Sequence, residues 1–268
     1  MSLGTQRDPA APGRRPRPVA RALLACGAAA VAAEYLPSVV TLGQWTPARS
    51  LPGDLCRWRG PGAPEVALTF DDGPHPEATP AMLEALDELG LRATFFCLGA
   101  EIVRHPDLVS ELLRRGHQVE THGFAHEHHL LRSPRWVLRD LRRARAAAEA
   151  VGLRPTWYRP TYGQVTGATL VVARALGLRP VLWSSWGREW ATDDPAEVAR
   201  RISTGLSPGA IVLLHDSDRH GRPGMWRTGI DALRLVADDL ARRDLRAVTV
   251  ERMMLGRGSA PIDQVGGI

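Results

Sequence analysis

The chain is 268 residues long, 44% hydrophobic and 24% charged, enough apolar sequence to bury the core of one ordinary enzyme domain and too much for a disordered chain. All 34 basic residues are arginine and asparagine is absent, which excludes a Schiff-base lysine, a phosphate-loop lysine and any N-linked glycosylation site. The formal charge of +5 is spread as arginines mixed with 29 carboxylates along apparent helices, and that distribution argues against nucleic-acid binding.

Residues 1–36 read as a basic, Pro- and Ala-rich tail followed by a short apolar segment. Arg14, Arg15 and Arg17 precede an apolar run from Ala22 to Ala33 that Glu34 ends. A run of about a dozen residues falls short of the roughly 20 that a spanning helix needs. A basic region, a short apolar stretch and the small residues Ala28, Ala30 and Ala32 fit a secretory signal or anchor, and an Ala-rich helix packed on the domain fits equally well. Residues 37–64, interrupted by Pro47, Pro52, Gly60 and Gly62, read as an irregular connector. Cys26, Cys56 and Cys97 stand apart, so neither a disulfide framework nor a thiolate zinc cage is indicated.

From Glu65 short β-rich runs alternate with longer amphipathic ones. The predicted strands are Val66–Phe70, Ala93–Cys97, Gln118–Thr121, Trp157–Arg159, Pro180–Trp183, Ala210–Leu214 and Arg246–Val250. The predicted helices are Pro80–Leu89, Ile102–Arg115, Arg135–Val151, Gly167–Leu176, Pro195–Thr204 and Ile230–Arg243, with Gly90, Gly116 and Gly152 closing the first three. Strict alternation over about seven units predicts an α/β fold with a parallel sheet and right-handed crossovers, wound open or closed into a barrel. Residues 65–252 form this single domain, and 253–268 read as a C-terminal tail.

The reactive side chains cluster just after the predicted strands: Asp71 and Asp72 after the first, His122 and His126 after the third, Arg159 and Tyr162 after the fourth, Glu189 and Trp190 after the fifth, and His215 after the sixth. In parallel α/β architectures those loops share one rim, so distant residues converge there. An Asp pair before Gly73-Pro74 is ordinary turn chemistry on its own. On a shared rim, one carboxylate can bind a cation while its neighbour stays a base. His122 and His126, four apart, bring two imidazoles within reach of one ion, and with Asp72 they match the three protein ligands of a catalytic zinc; His128 and His129 complicate that assignment. Arg159 can clamp Asp71, and His215 at the end of an apolar strand can act as a general acid. Trp183, Trp186, Trp190 and Trp226 suit either a core or a sugar-stacking surface.

From Val66 to Val250 the sequence resembles the polysaccharide deacetylases of carbohydrate esterase family four, the group with the NodB-homology domain. Five motifs stand in the family's order: Thr69 to Gly73, His122 to His126, Arg159 to Gly163, Trp186 to Trp190, and Leu213 to His215. The resemblance implies a distorted (β/α)7 barrel and removal of N-acetyl or O-acetyl groups from an acetylated amino-sugar polymer or oligomer of chitooligosaccharide or peptidoglycan type. It implies Asp71 as catalytic base, Asp72, His122 and His126 as ligands of one divalent metal ion, zinc first among the candidates, and His215 as catalytic acid. Arg159 and Glu189 would support base and acid, Tyr162 would supply an oxyanion N–H, and Trp190 and Leu213 would enclose the acetyl methyl. An extracytoplasmic or cell-envelope location would suit such a substrate, cytoplasmic being the alternative; no protein partner is indicated. The chain departs from the family at Gly123, where Ser or Thr is usual, at Thr161, where proline is usual, and in Trp186 and Glu189, which replace two aspartates. Those departures keep two other functions in view, another metal-dependent amide or imide hydrolase and a non-catalytic glycan-binding module.

Overall fold

The computed structural model describes residues 18–42 and 56–255; the start of the expected basic tail, the connector between 43 and 55, and the chain end from 256 lie outside the described residues. In chain order the elements are α1 (Pro18–Leu42), β1 (Glu65–Asp71), α2 (Ala78–Glu88), β2 (Thr94–Cys97), α3 (Gly99–Arg104), α4 (Pro106–Arg114), β3 (Gln118–Thr121), α5 (Pro134–Ala150), β4 (Trp157–Tyr158), α6 (Gly167–Ala175), β5 (Arg179–Pro180), β6 (Ser185–Trp186), α7 (Pro195–Gly205), β7 (Ile211–His215), α8 (Met225–Arg242), β8 (Arg246–Val248) and α9 (Val250–Leu255). The ladders between these strands are parallel and run β5-β4-β3-β2-β1-β7-β6, with β8 joined to β1. This curled sheet, with β5 and β6 at its ends, is the parallel sheet that the alternation predicts, in the distorted-barrel form that the family resemblance implies.

β1 is the hub. Along one edge β7 pairs with it from Ala67↔Ile211 to Asp71↔His215. Along the other, β8 takes the first half up to Ala67↔Val248 and β2 the second from Thr69↔Thr94 to Asp71↔Phe96. Side chains alternate across a strand. Val66, Leu68 and Phe70 accordingly face outward into the main core with Met82 and Leu83 of α2 and Leu233 and Val236 of α8, while Ala67 faces inward.

The inner face holds Ala67, Phe96, Trp157, Val181 and Ile211, packed on Val250 and Met253 of α9. Residues 253–255, expected to begin a tail, thus belong to a helix that plugs the end of the barrel where the strands begin. Two interior side chains fix it there: Val250 N–H donates to Thr94 Oγ1 at 2.9 Å and Glu251 N–H to Gln118 Oε1 at 3.0 Å, satisfying donors that a helix start leaves free.

Other expectations are corrected locally. The helix predicted over Ile102–Arg115 is two helices broken at His105 (ψ 56°), because Pro106 disfavours helical geometry at the residue before it. The strand predicted over Pro180–Trp183 ends at Pro180, and a separate β6 pairs with β7. α8 starts at Met225 rather than Ile230, after Gly224 in a left-handed conformation. α1 runs through Pro37 and past residue 36, where the apolar segment was expected to end, and docks on α6: Ser38 Oγ donates to Val165 O at 2.7 Å and Glu34 Oε2 accepts from Ala168 N at 2.8 Å. Among the described residues no helix is long and apolar enough to cross a membrane.

Candidate active site

The strand register that builds the barrel also builds the site. Thr69 and Asp71 continue the inward face of β1, and pairing with β7 sets Thr69 beside Leu213 and Asp71 beside His215. Alternation would send Asp72 outward. Its backbone instead adopts φ 77°, a left-handed conformation rare outside glycine, and this turn brings a second carboxylate back over the barrel mouth.

Asp72 Oδ1 lies 3.3 Å from His122 Nε2 and 3.2 Å from His126 Nε2. With metal–ligand distances of about 2.0–2.1 Å, ligand atoms of a tetrahedral zinc stand roughly 3.3–3.4 Å apart, so these separations match two edges of such a shell. His122 Nδ1 donates to the Arg159 carbonyl at 2.7 Å, which fixes the tautomer with the Nε2 lone pair facing Asp72. Asp72 Oδ1 is buried without a hydrogen-bond partner, an arrangement that a cation would complete. Burial pushes His126 down to about 3, so its ring is neutral at pH 7. The donor set fits a divalent ion.

Asp71 sits beside this triad, its Oδ2 3.9 Å from His122 Nε2. The fully buried Arg159 donates from one nitrogen to Asp71 Oδ1 and Thr69 Oγ1, both at 2.7 Å, and from the other to Leu182 O at 3.1 Å. Its guanidinium lies over the Phe96 ring at 4.1 Å, so this arginine is barrel core rather than a solvated surface cation. His215 Nδ1 is 2.8 Å from Glu189 Oε1. Burial disfavours the charged imidazole, but the charge and hydrogen bond of Glu189 overcome it and lift His215 to about 9. Glu189 thus reaches the histidine despite its extra methylene. Arg188, at φ 57°, makes the turn that sends Glu189 inward.

The mouth is a cavity of about 240 Å³ lined by Asp71, Asp72, His122, His126 and His215, with Trp183, Trp186, Trp190 and Leu213 as its apolar wall. Trp186 packs against Trp183 and Trp190 at 5.8 and 5.4 Å. Trp226 belongs instead to the main core on α8. Tyr162 lines the opposite side at φ 57°; among the described residues its N–H has no backbone acceptor, whereas those of Gly163 and Gln164 do. The two extra histidines are placed elsewhere: His128 stacks on Tyr162 at 3.7 Å, and His129 is buried within 3.3 Å of Thr169 Oγ1.

Three contributors escaped the sequence. Gly123, at φ 89°, has no hydroxyl to brace the histidine loop, and Asp140 of α5 does so instead, accepting from Phe124 N at 3.0 Å and Ala125 N at 3.1 Å. Asp216 accepts from Gly73 N at 3.1 Å and Thr79 Oγ1 at 2.6 Å, tying the His215 strand end to the loop after Asp72. His220 stacks on His126 with ring centroids 4.1 Å apart. Asp216 adjoins a rim histidine and could have been inferred from that position. Asp140 lies in the middle of a helix, without any strand-end signal, whereas His220 follows the end of β7 by five residues, as His126 follows β3, and could have been inferred from that spacing.

A family model described as polysaccharide deacetylase matches residues 59–181. The peptidoglycan-N-acetylglucosamine deacetylase PgdA of Listeria monocytogenes is 37% identical over 152 residues, which are 56% of this chain and 32% of that protein, so the chain spans about a third of that relative's length. A chitooligosaccharide deacetylase of Bradyrhizobium is 34% identical over 64% of this chain and 78% of its own length. Among solved structures, the Bc1960 peptidoglycan N-acetylglucosamine deacetylase superposes with a TM-score of 0.72 at 26% identity, covering 81% of this chain and all of that one.

Proposed function

The chain belongs to the polysaccharide deacetylase family, and we propose that it is a metal-dependent hydrolase that removes N-acetyl groups from an N-acetylglucosamine-containing glycan, releasing acetate. The observation that carries this is Asp72 Oδ1, buried, unpaired and 3.2–3.3 Å from two imidazole nitrogens, beside an arginine-clamped Asp71 and opposite a carboxylate-bound His215. Asp72, His122 and His126 would hold the ion, zinc being the cation whose shell these three donors best match. A divalent cation there polarises the acetyl carbonyl and makes the attacking water a better acid.

The protein's own groups then divide the proton traffic. Asp71, its second oxygen free of Arg159, takes the proton of the attacking water. The Tyr162 N–H, left without a backbone acceptor, faces the developing oxyanion; such a donor is worth on the order of 3 kcal/mol in a transition state. His215 gives its proton to the departing amine as the carbon–nitrogen bond breaks, and Glu189 keeps the ring oriented and charged for that step. Leu213 and Trp190 close around the methyl. The products are acetate and a free amino sugar. A cell-wall glycan as substrate would call for an enzyme outside the cytoplasm.

The test joins metal analysis of the purified protein to acetate release from chitooligosaccharide and peptidoglycan fragments, with and without chelator. Asp71→Asn is expected to lower turnover by about 10²–10⁴-fold while zinc content stays at wild-type level. A near wild-type rate in zinc-loaded Asp71→Asn would refute the assignment.

A further inference from the structure

Resting on the deacetylase reading, we infer that Arg222 is a positioning residue for the proton donor: through two backbone carbonyls it fixes the turn that carries Glu189, and through Glu189 it aims His215. Glu189 is fully buried, and among the described residues His215 Nδ1, at 2.8 Å, is the one hydrogen-bond partner of its side chain, Glu189 Oε2 having none. Asp71, its counterpart on the base side, is clamped by a guanidinium that the Leu182 carbonyl holds in turn. Nothing of that kind grips the Glu189 carboxylate. With one methylene more than the aspartate usual at this place, Glu189 has an additional torsion to fix, so its placement falls to its backbone.

Arg222 holds that backbone. Its Nη2 donates to Glu189 O at 3.3 Å and to Thr192 O at 3.0 Å, and its Nη1 is ion-paired with Asp193. Among the described residues no other element hydrogen-bonds the backbone of residues 189–193; the Ala191 N–H stays within the turn, on Arg188 O. A guanidinium is a rigid planar fork, so donors that reach two carbonyls also set the angle between them, which an ammonium does not.

The other end of the clamp is tied to the histidine strand. Arg222 lies in the loop between β7 and α8, and Asp218 folds that loop on itself, accepting from Gly224 N at 2.7 Å through its side chain and from Gly221 N at 3.2 Å through its carbonyl. Arg222 O accepts from Met225 N, at the start of α8, at 3.1 Å. His215, Glu189, Arg222 and the loop back to β7 therefore form one closed circuit, with the proton donor at its inner edge.

A defect in this circuit has a chemical signature. When the acetamide breaks, the carbon–nitrogen electron pair leaves on nitrogen, which takes a proton from His215; a misaimed ring slows that step and not the attack that Asp71 promotes. In 4-nitrophenyl acetate a carbon–oxygen bond breaks instead, and the phenolate departs without a proton. The ester presents the same acetyl group to Trp190, which sits on the same turn, so displacement of that indole affects both substrates alike.

The test compares a tetrasaccharide of N-acetylglucosamine with 4-nitrophenyl acetate on the zinc-loaded full chain. Arg222→Gln is expected to lower kcat on the tetrasaccharide about tenfold more than on the ester, with KM little changed, and Arg222→Lys to recover part of the loss. Added to Glu189→Gln, Arg222→Gln should cost at most about twofold further, because both act through one group. Equal losses on the two substrates, or losses that multiply in the double variant, would overturn the inference. Proton NMR supplies a readout free of turnover: the proton between His215 Nδ1 and Glu189 should stand far downfield in the wild type and broaden or move upfield in Arg222→Gln. Wild-type protein that releases no acetate from any glycan would sink the deacetylase reading alone; the NMR signal then decides the role of Arg222, and a signal unchanged in Arg222→Gln would overturn it.

Discussion

Gly123 separates two ways of holding the loop that carries His122 and His126. A Cβ at that position would come within 3.0 Å of Asp140 Oδ2, and φ 89° is strained for any L side chain. Restoring the family's usual hydroxyl by Gly123→Ser should therefore weaken the site, because the Asp140 carboxylate already occupies the bracing position. Zinc affinity, read by competition with a chelating dye, is expected to fall by about tenfold or more; affinity equal to or above wild type would show that Asp140 is not the brace. Glu189 supports a second prediction. A histidine with a raised pKa keeps its proton to higher pH, so His215, at about 9 in the metal-free chain, would serve in its proposed role as acid through neutral pH and lose it as pH rises through its pKa. Glu189→Gln removes the charge that opposes burial while the burial remains, and the ring falls back toward or below its ordinary value of about 6.5. The alkaline limb of kcat/KM should move to lower pH by more than about one unit; a stationary limb would assign it to another group.

At the scale of elements, what was legible in the sequence was whatever a strand does by itself. The apolar run before Asp71 and the run before His215 declare their ends, and parallel register then sets those ends side by side. The turn at Asp72 was legible as a turn, but its left-handed backbone, which puts two successive carboxylates on one side of the sheet, was not. Neither were contributions from the middle of a helix or from a long loop. Asp140 is one acid among many charges on α5, and only the packing of that helix against the histidine loop gives it work. The same holds for α1, whose apolar stretch supports signal, anchor and packed helix alike until Glu34 is seen taking an N–H at the start of α6. Helix starts carry unpaired donors and partial positive charge. Thr166 Oγ1 satisfies Thr169 N at 3.1 Å, and Glu34 takes Ala168 N at 2.8 Å. Glu34→Ala should cost about 0.5–2 kcal/mol of stability, measured as a lower denaturant midpoint with unchanged slope; an unchanged midpoint would mean that α1 adds nothing through this contact.

Across the whole molecule, the three proposed ligand residues connect parts of the chain that the sheet alone joins only through β2. Asp72 follows β1, the central strand, while His122 and His126 follow β3, which meets β1 only by way of β2. A cation held between them is a cross-link present in the folded state and lost on unfolding, because the loops converge only when the sheet is formed. Binding to the native state alone stabilises it by mass action, by about 4 kcal/mol at a free metal concentration a thousand times the dissociation constant. For a domain of this size each kcal/mol moves the midpoint by roughly 2–4 °C. Zinc-loaded protein should then melt on the order of 10 °C above chelator-treated protein. Asp72→Ala should abolish that increment, since it removes the one ligand contributed by β1 and leaves two histidines from a single loop. The control separates this site from cations bound loosely elsewhere: a zinc-dependent rise of equal size in Asp72→Ala would place the stabilising ion away from the barrel mouth, and with it the chemistry assigned to these three residues.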